Sequence, residues 1–315
     1  MSAAEPPLVS IVVPCYNAEA WVAQAIESAL GQTWPAREVI VVNDGSRDGS
    51  LAAARRFEPS GVRVLDQPNR GAAAARNAGL AAARGAYIQF LDADDLLAPD
   101  KLERQLERIS SLGPRVLASG AWARFTREPA EASFEEQANW RDLTGIEFLQ
   151  LHYEQICMMH PAAWLAPREL LDRAGRWDET LSLNDDGEYF ARVMLAAERI
   201  VFCRDARSLY RSSLPQSLSG RRDPRALDSL YRSTELTLRH LLDADSSARS
   251  RAAAAFAWKW TAFEMYPDAP ALARAAERRA GELGGSSRPF PAGGRFQLAS
   301  RLLGWRLAKR LLLSR

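Results

Sequence analysis

Short apolar runs alternate with segments of helical spacing over the first hundred residues. Residues 8–14 form a β-branched apolar run that ends at a proline, which predicts a buried strand. Residues 18–30 repeat apolar side chains at the spacing of one helix face. Further strands are predicted at 38–42, 62–65 and 86–91, with helices at about 49–57 and 72–84 between them. This order predicts βαβ crossovers and hence an α/β fold, with a mostly parallel central sheet and helices on both faces.

The pattern becomes mixed after residue 111 and then wholly helical. Strands are predicted at 116–125, 163–166 and 201–210, and helices at about 145–153 and 188–197. From residue 224 the chain is rich in Ala and Arg, and a Gly, Ser and Pro linker over 281–294 precedes a last helix over 295–313. We therefore predict an α/β domain over residues 1–222 and a C-terminal helical region over 223–315 with a basic terminal helix.

The predicted terminal helix is imperfectly amphipathic. Five apolar residues fall on one ridge and four basic residues are interspersed among them, while other apolar residues fall on other sides. Either the helix packs on the rest of the chain or on a partner subunit, or it lies on an anionic membrane with its arginine stems along the surface. The ridge consists of Phe296, Ala299, Leu303, Leu307 and Leu311, and the basic residues are Arg301, Arg306, Lys309 and Arg310.

Polar residues follow directly after each of the first four predicted strands. Ligands of parallel sheets bind beyond the carboxyl ends of the strands, so these loops are expected to converge on one rim. The loops are residues 14–17, 43–46, 66–70 and 92–95.

The strongest candidate for chemistry is Asp92-Ala93-Asp94-Asp95, at the end of the fourth strand. Carboxylates one residue apart in such a loop can hold a hard divalent cation, with diphosphate oxygens completing its coordination. Asp94 is the best ligand candidate. The alternative is a solvated acidic turn in which Asp95 caps the following helix.

Two further polar residues lie after neighbouring strands. Asp44 is placed to accept hydrogen bonds from a ribose or a base, or else to shape its own Asp-Gly-Ser turn. Arg76 lies on the helix after the third strand, where it can pair with a phosphate or remain a solvated surface residue.

A second acidic cluster occupies residues 184–188. Acids this close repel one another, which raises the pKa of at least one of them and suits a general base near neutral pH. The alternative is a helix N-terminus whose dipole favours negative charge.

Composition narrows the class of protein without naming a function. The net charge of +2 provides no global basic field for a nucleic-acid partner. Three scattered cysteines form no disulfide framework, which indicates a reducing compartment. No secretory pattern begins the chain, and no apolar run reaches the ~18–20 residues that cross a bilayer. These features predict a cytoplasmic protein, with any membrane contact made peripherally through residues 295–313 at the inner face of the membrane.

Taken together, the motifs resemble the family 2 glycosyltransferases with the GT-A fold, over about residues 8–210. The resemblance implies a GT-A catalytic domain over residues 1–222. It rests on several motifs in order: Val-Ser-Ile-Val-Val-Pro-Cys-Tyr-Asn-Ala-Glu at 9–19, Val-Val-Asn-Asp-Gly-Ser-Arg-Asp-Gly-Ser at 41–50, Asn69-Arg70-Gly71 with Ala75-Arg76-Asn77 and Gly79, Phe-Leu-Asp-Ala-Asp-Asp at 90–95 with Pro99, and Gly-Arg-Trp-Asp-Glu-Thr-Leu at 175–181 leading into Asp185-Asp186.

The resemblance also implies a role for each matching residue. Asp92 is expected near the ribose and Asp94 on Mg²⁺ or Mn²⁺, with Ala93 between them. Asp186 is expected to be the catalytic base, and Asp185 stands where the family has a glutamate. Tyr210-Arg211 with Ser217 and Ser219 resembles a segment near the diphosphate. The residues expected around the nucleotide are Pro14, Tyr16, Glu19, Asp44 and Arg76.

The implied function is an inverting transfer of a sugar from a nucleotide-diphosphate sugar to an acceptor hydroxyl, in the synthesis of a cell-surface glycan or glycolipid. Processive members of the family carry a Gln-x-x-Arg-Trp motif that this chain lacks, so a single addition is expected. One alternative is a nucleotidyltransferase, although residues 14–18 supply no glycine-rich phosphate loop. The other is a nucleotide-sugar-binding module without catalysis. No pattern in the sequence selects the sugar, the nucleotide, the acceptor or the oligomeric state.

Overall fold

The computed structural model describes residues 5–213 and 220–312. Its strands form two sheets, one of five strands in the order β3-β2-β1-β4-β7 and one of three in the order β5-β8-β6. The strands are β1 (Val9–Cys15), β2 (Arg37–Asp44), β3 (Arg63–Gln67), β4 (Tyr87–Phe90), β5 (Leu96–Leu97), β6 (Val116–Phe125), β7 (Ala166–Pro167) and β8 (Arg199–Arg211).

Helices cover the larger sheet and make up the C-terminal part of the chain. They are α1 (Val22–Leu30), α2 (Ser50–Arg55), α3 (Ala72–Ala82), α4 (Lys101–Ile109), α5 (Gly145–Gln155), α6 (Arg168–Ala174), α7 (Asp185–Ala196), α8 (Pro224–Ala244), α9 (Ala248–Met265), α10 (Pro270–Glu282), α11 (Gly294–Leu303) and α12 (Trp305–Leu312). None of the helices within residues 5–213 and 220–312 has the length and hydrophobicity to span a membrane.

The larger sheet is buried on both faces, which explains the continuous apolar runs of its strands. Val9, Ile11 and Val13 of β1 belong to one hydrophobic cluster with α1 and α4. Val12, which points the other way, joins a separate cluster that includes residues of α5 and α7. Helix α3 lies close to the same face, because a Cβ atom on its Gly79 would stand only 2.3 Å from Val12 Cγ1.

The predicted α/β architecture is confirmed. β1, β2, β3 and β4 are parallel, and only the two-residue β7 runs antiparallel to its neighbour in the larger sheet. The predicted strands at 116–125 and 201–210 are present as β6 and β8, which pair in parallel. The bounds of the strand predicted at 163–166 are wrong, although a strand is present there: residues 161–163 form a 3-10 turn, Leu165 forms a bridge with Ala118, and β7 covers Ala166–Pro167.

The single helix predicted over residues 295–313 is also wrong. The structure has two helices, and Gly304 separates α11 from α12 with φ 77° and ψ 150°. This conformation is essentially restricted to glycine and cannot continue an α-helix. Residue 313 lies outside the described residues.

The C-terminal helices pack against the α/β part of the chain. The side chain of Asp223 caps α8 by accepting a hydrogen bond from Ala226 N at 3.0 Å. Helix α8 then lies against α7, with Ser229 and Ser233 bonded to the loop that precedes α7. The predicted domain boundary between residues 222 and 223 stays a prediction, because α8 packs directly against α7 of the α/β part.

Candidate functional site

The carboxyl ends of β1, β2 and β4 open into one cleft of about 1480 Å³. Both acidic clusters line it, although they are about ninety positions apart in the sequence. The residues that the sequence assigned to the site and that line the cleft are Pro14, Tyr16, Asp44, Arg76, Asp92, Ala93, Asp94 and Asp186.

Arg76 joins the two acidic clusters. Its guanidinium is buried and forms ion pairs with Asp92 at 2.7 Å and with Asp185 at 2.9 Å. It also lies over the Trp177 ring, 4.5 Å from the ring centroid. Burial lowers the pKa of Arg76, but the two carboxylates outweigh burial and raise it, so the side chain remains a cation. The solvated alternative for Arg76 is therefore wrong.

Trp177 lies against Arg76, and its only signal in the sequence was its place in a motif. Its ring stacks on Tyr189 with centroids 4.0 Å apart. Asn77 fixes its backbone, accepting a hydrogen bond from Trp177 N at 2.9 Å and donating one to Trp177 O at 3.0 Å. An aromatic face beneath a guanidinium stabilises the cation without competing for its hydrogen bonds.

Asp186 lies in the first turn of α7. Asn184 precedes the helix with φ 59°, a left-handed conformation that asparagine tolerates. The Asp186 carboxylate accepts a hydrogen bond from Gly187 N at 2.9 Å. Burial first, and the neighbouring Asp185 second, raise the pKa of Asp186 to about 6, while the Arg76 cation opposes the rise. A carboxylate with this pKa is ionised at pH 7 and remains a useful base.

Asp94 has a carboxylate that no side chain of the described residues engages by a hydrogen bond. Burial, then Asp95 and then Asp92, raise its pKa to about 8. The Asp92 carboxylate is held by Arg76. No group of three His, Cys, Asp or Glu side chains within the described ranges is arranged to hold a metal ion. The donor set therefore fits a cation that takes one protein carboxylate and draws its other ligands from substrate phosphates and water.

Asp95 does not cap a helix as the alternative held. It is buried, lies 2.9 Å from His160 Nδ1 and accepts a hydrogen bond from Arg211 N at 2.9 Å. His160 Nε2 in turn lies 2.9 Å from Ser208 Oγ, and burial lowers the pKa of His160 to about 4, so its ring is neutral. Arg211 Nε also donates to Asp94 O at 3.0 Å. These contacts fix the backbone that carries Asp94.

The family resemblance grouped Tyr210-Arg211 with Ser217 and Ser219 in one segment. Ser217 and Ser219 lie outside the described residues. Arg211 itself is buried, with its guanidinium 4.3 Å from the ring centroids of both Trp21 and Phe125. It also donates to Gln24 Oε1 at 2.6 Å, and its expected place near the diphosphate stays a prediction.

Asp44 is buried at the rim and organises the neighbouring loop. Its carboxylate accepts hydrogen bonds from Gln67 Nε2 at 2.8 Å, Arg70 N at 2.9 Å and Gly71 N at 2.8 Å. Glu19 does not line the cleft: its carboxylate accepts a hydrogen bond from Gly49 N at 2.9 Å. Contacts of either residue with a nucleotide stay predictions.

The wall opposite the sheet comes from helices that carry no sequence motif. Leu230 of α8 and Trp260 of α9 line the cleft, together with Tyr153 of α5. Thr234, which also lines it, donates its hydroxyl hydrogen to Leu230 O at 2.8 Å. This wall could not be found from the sequence, because its side chains are ordinary core residues.

Solved structures with the same fold bind nucleotides. The TarS fragment 1–349 of S. aureus, solved in complex with UDP, superposes with a TM-score of 0.61 at 17% identity, over 91% of this chain and 95% of that one. The mannosyltransferase PcManGT of Pyrobaculum calidifontis, in complex with GDP-Man and Mn²⁺, gives a TM-score of 0.56 at 19% identity, over 98% of this chain and 84% of that one. These likenesses confirm the GT-A fold.

Sequence comparisons identify the family. EpsJ of Bacillus subtilis (strain 168), described as an uncharacterised glycosyltransferase, is 32% identical over 68% of this chain and 63% of its own length. The succinoglycan biosynthesis protein ExoO of Rhizobium meliloti (strain 1021) is 44% identical over 35% of this chain and 32% of its own length. The matches thus span part of the length of these relatives. The family model described as "Glycosyl transferase family 2" matches residues 10–175. This chain belongs to glycosyltransferase family 2.

Proposed function

We propose that the protein is an inverting, non-processive glycosyltransferase that moves a sugar from a nucleotide-diphosphate sugar to an acceptor hydroxyl. The observation that carries this proposal is the buried Arg76, whose ion pairs hold Asp92 and Asp185 on one cleft. The loop of residues 92–94, which is proposed to bind the donor, and the candidate base Asp186 therefore line the same cleft.

Asp186 is proposed as the catalytic base. Its pKa of about 6 leaves it ionised at pH 7 and able to accept the proton of the acceptor hydroxyl as that oxygen attacks the anomeric carbon. The hydroxyl is a poor nucleophile while it keeps its proton, so the base is needed for the step. Direct attack on the side opposite the leaving group inverts the anomeric configuration.

Asp94 is proposed to hold Mg²⁺ or Mn²⁺ together with the diphosphate of the donor. A cation held there would supply positive charge against the negative charge that develops on the departing nucleoside diphosphate. Two observations support this role: the Asp94 carboxylate has no side-chain partner in the described residues, and it lines the same cleft as Asp186. The mannosyltransferase of the same fold was solved with Mn²⁺.

The donor is proposed to be a nucleotide-diphosphate sugar, with Pro14, Tyr16, Asp44 and Arg76 around the nucleotide and Glu19 outside the cleft, bonded to Gly49 N. Asp92 is proposed near the ribose, with Ala93 beside it. Complexes of TarS with UDP and with UDP-GlcNAc support this class of donor through the shared fold. The two structural neighbours carry different nucleotides, so the fold is compatible with more than one base.

The acceptor is proposed to be a cell-surface glycan or glycolipid that is built in the cytoplasm, with peripheral contact at the inner face of the cell membrane through residues 295–313. Family membership and the similarity to ExoO, a succinoglycan biosynthesis protein, support this class of acceptor. Single addition is supported by the lack of a Gln-x-x-Arg-Trp motif in the sequence.

A donor screen followed by two substitutions tests the proposal. Thermal unfolding is measured with UDP, GDP, dTDP and CDP sugars, with and without Mn²⁺, and one donor class is expected to raise Tm more with the cation present. With that donor, Asp186→Asn is expected to lose transfer or donor hydrolysis by roughly 10²-fold or more while its Tm shift remains. Asp94→Asn is expected to weaken both donor binding and rate.

Asp243→Asn is the matched control, because it removes an exposed carboxylate on α8. It is expected to keep the rate of the unaltered protein. A full rate in Asp186→Asn, or a screen in which no nucleotide sugar raises Tm, would contradict the proposed function. NMR of the product anomeric proton tests inversion separately.

A further inference from the structure

The last two helices expose most of the large hydrophobic side chains that reach solvent. Eight such residues are exposed within the described ranges, and six of them are leucines of α11 and α12. Each is between 46% and 76% exposed, so the group is not a scatter of single surface residues. We call this group the leucine face: Leu298, Leu302, Leu303, Leu307, Leu311 and Leu312.

The other sides of these helices already have partners. Phe296 of α11 and Ala308 of α12 are buried in a cluster with Phe263 of α9 and Phe290. Leu298 and Leu302 are four residues apart on α11, and Leu307 and Leu311 are four apart on α12, so each helix carries an outward row. The core of this chain therefore cannot also receive the leucine face.

Charge is strongly segregated at this end of the chain. After Glu282 the sequence contains seven Lys and Arg residues and no Asp or Glu. The whole chain has a net charge of +2, so residues 1–282 carry a net charge of −5. The basic residues are Arg288, Arg295, Arg301, Arg306, Lys309, Arg310 and Arg315.

Some of these cations serve the packing and others are available. Arg306 pairs with Glu277 of α10, and Lys309 donates to Phe263 O. Arg295 and Arg301 are exposed and have no ion-pair partner among the described residues. The leucine face is thus accompanied by the cations Arg295 and Arg301, unpaired within the part of the chain that the structure describes, while Glu277 is engaged by Arg306.

We propose that the leucine face and its cations are a docking surface for a bilayer of anionic phospholipid. Exposed leucines can enter the boundary between headgroups and acyl chains, while arginines meet the negative surface. A second copy of this chain is a poorer occupant, because it would bring the unpaired arginines of two copies together. The inference rests on the membrane contact of the proposed function and assigns it to named leucines and arginines, and its test does not depend on sugar transfer.

Vesicle co-sedimentation of the full chain tests this docking. Binding is measured to vesicles of phosphatidylcholine alone and of phosphatidylcholine with about 30% phosphatidylglycerol. Binding is expected to the anionic vesicles and to fall as salt is raised, since the cations act through a screened field. The double variant Leu302→Ser with Leu311→Ser, and separately Arg295→Gln with Arg301→Gln, are expected to weaken it roughly tenfold or more.

Two control variants match these changes. Leu112→Ser removes an exposed leucine elsewhere, 43% accessible, and Arg55→Gln with Arg56→Gln removes two exposed arginines of the α2 region. Both are expected to bind vesicles as the unaltered protein does.

Three outcomes would overturn the proposal. They are no binding to anionic vesicles at low salt, an equal loss of binding in the controls, and a dimer by light scattering that Leu302→Ser with Leu311→Ser dissolves. Nucleotide-sugar Tm shifts of the leucine variant, measured without vesicles, separate a failure of docking from a failure of the proposed function.

Discussion

The guanidinium of Arg76 meets Asp92 on one side, Asp185 on the other and the Trp177 ring on its face. A planar fork can satisfy two carboxylates and stack at the same time, whereas a lysine ammonium is a single point charge. Removing the cation would leave the buried Asp185 and the partly buried Asp92 without compensation. The residue therefore serves both the stability of the cleft and the position of its acids.

Arg76→Met is expected to lower the free energy of unfolding by about 3–5 kcal/mol, the cost of breaking a buried ion pair from one side. Urea denaturation measures this change. Arg70→Gln is the control, because Arg70 is mostly exposed where it pairs with Glu179, and the expected loss is at most about 1 kcal/mol. Similar losses in the two variants would show that Arg76 is not the buried link described above.

The pH dependence of the reaction follows from Asp186. The base acts in its ionised form, and the ionised fraction falls as pH drops through its pKa of about 6. The rate is therefore expected to fall about tenfold per pH unit below 6 and to be level with respect to this group above 7. The Arg76 cation lowers this pKa, and Arg76→Lys keeps a positive charge at that position. The acidic limb of the pH profile of this variant is therefore expected to stay near that of the unaltered protein. A rate that is constant from pH 5 to 7 would contradict the role of Asp186.

At the scale of elements, α8 supports the loop that delivers the base. Ser229 Oγ accepts hydrogen bonds from Ser182 N at 2.8 Å and Leu183 N at 3.0 Å, and it donates to Leu183 O at 3.0 Å. One hydroxyl thus uses its donor and both of its acceptor positions on one loop. The loop runs directly into α7 and Asp186.

Ser229→Ala is expected to destabilise the protein by about 1–3 kcal/mol, because backbone groups lose their partner. It is also expected to lower the transfer rate while the Tm shift caused by the donor persists, since the donor loops do not contact Ser229. Ser111→Ala, at an exposed position after α4, is expected to change stability by less than about 0.5 kcal/mol. A Ser229→Ala variant with the rate of the unaltered protein would show that this loop does not position the catalytic base.

Elements were predictable where one physical pattern dominated. The strands of the larger sheet are buried on both faces, so they read as unbroken apolar runs, and β1 and β2 were found near their observed bounds. The terminal helix was mispredicted because a repeated apolar spacing continues across Gly304, whereas the backbone there does not. The two-residue β5 and β7 are defined by tertiary pairing alone, which leaves no local pattern.

For the whole molecule, the rule that ligands lie beyond the carboxyl ends of parallel strands was enough to bring Asp44, Asp92 and Asp94 to one cleft. Asp186 was assigned to the same site from the family resemblance, not from the spacing of residues in the sequence. The Arg76–Asp185 ion pair joins residues 109 positions apart, and the wall formed by α8 and α9 faces loops far from it in the sequence, so neither had a local signal. Pairings at that separation become visible only once the fold is known.

The cleft is lined both by loops of the α/β part and by the later helices α8 and α9, so different parts of the chain can serve different substrates. Within the proposed function, residues before 212 would supply donor binding and proton transfer, and the helices from 224 onward would shape the space that an acceptor enters. Acceptor preference could then diverge by change in the later helices while the chemistry upstream is conserved. A chimera that exchanges these helices between relatives must keep hydroxyl groups at the positions of Ser229 and Ser233, or it will alter the base along with the acceptor.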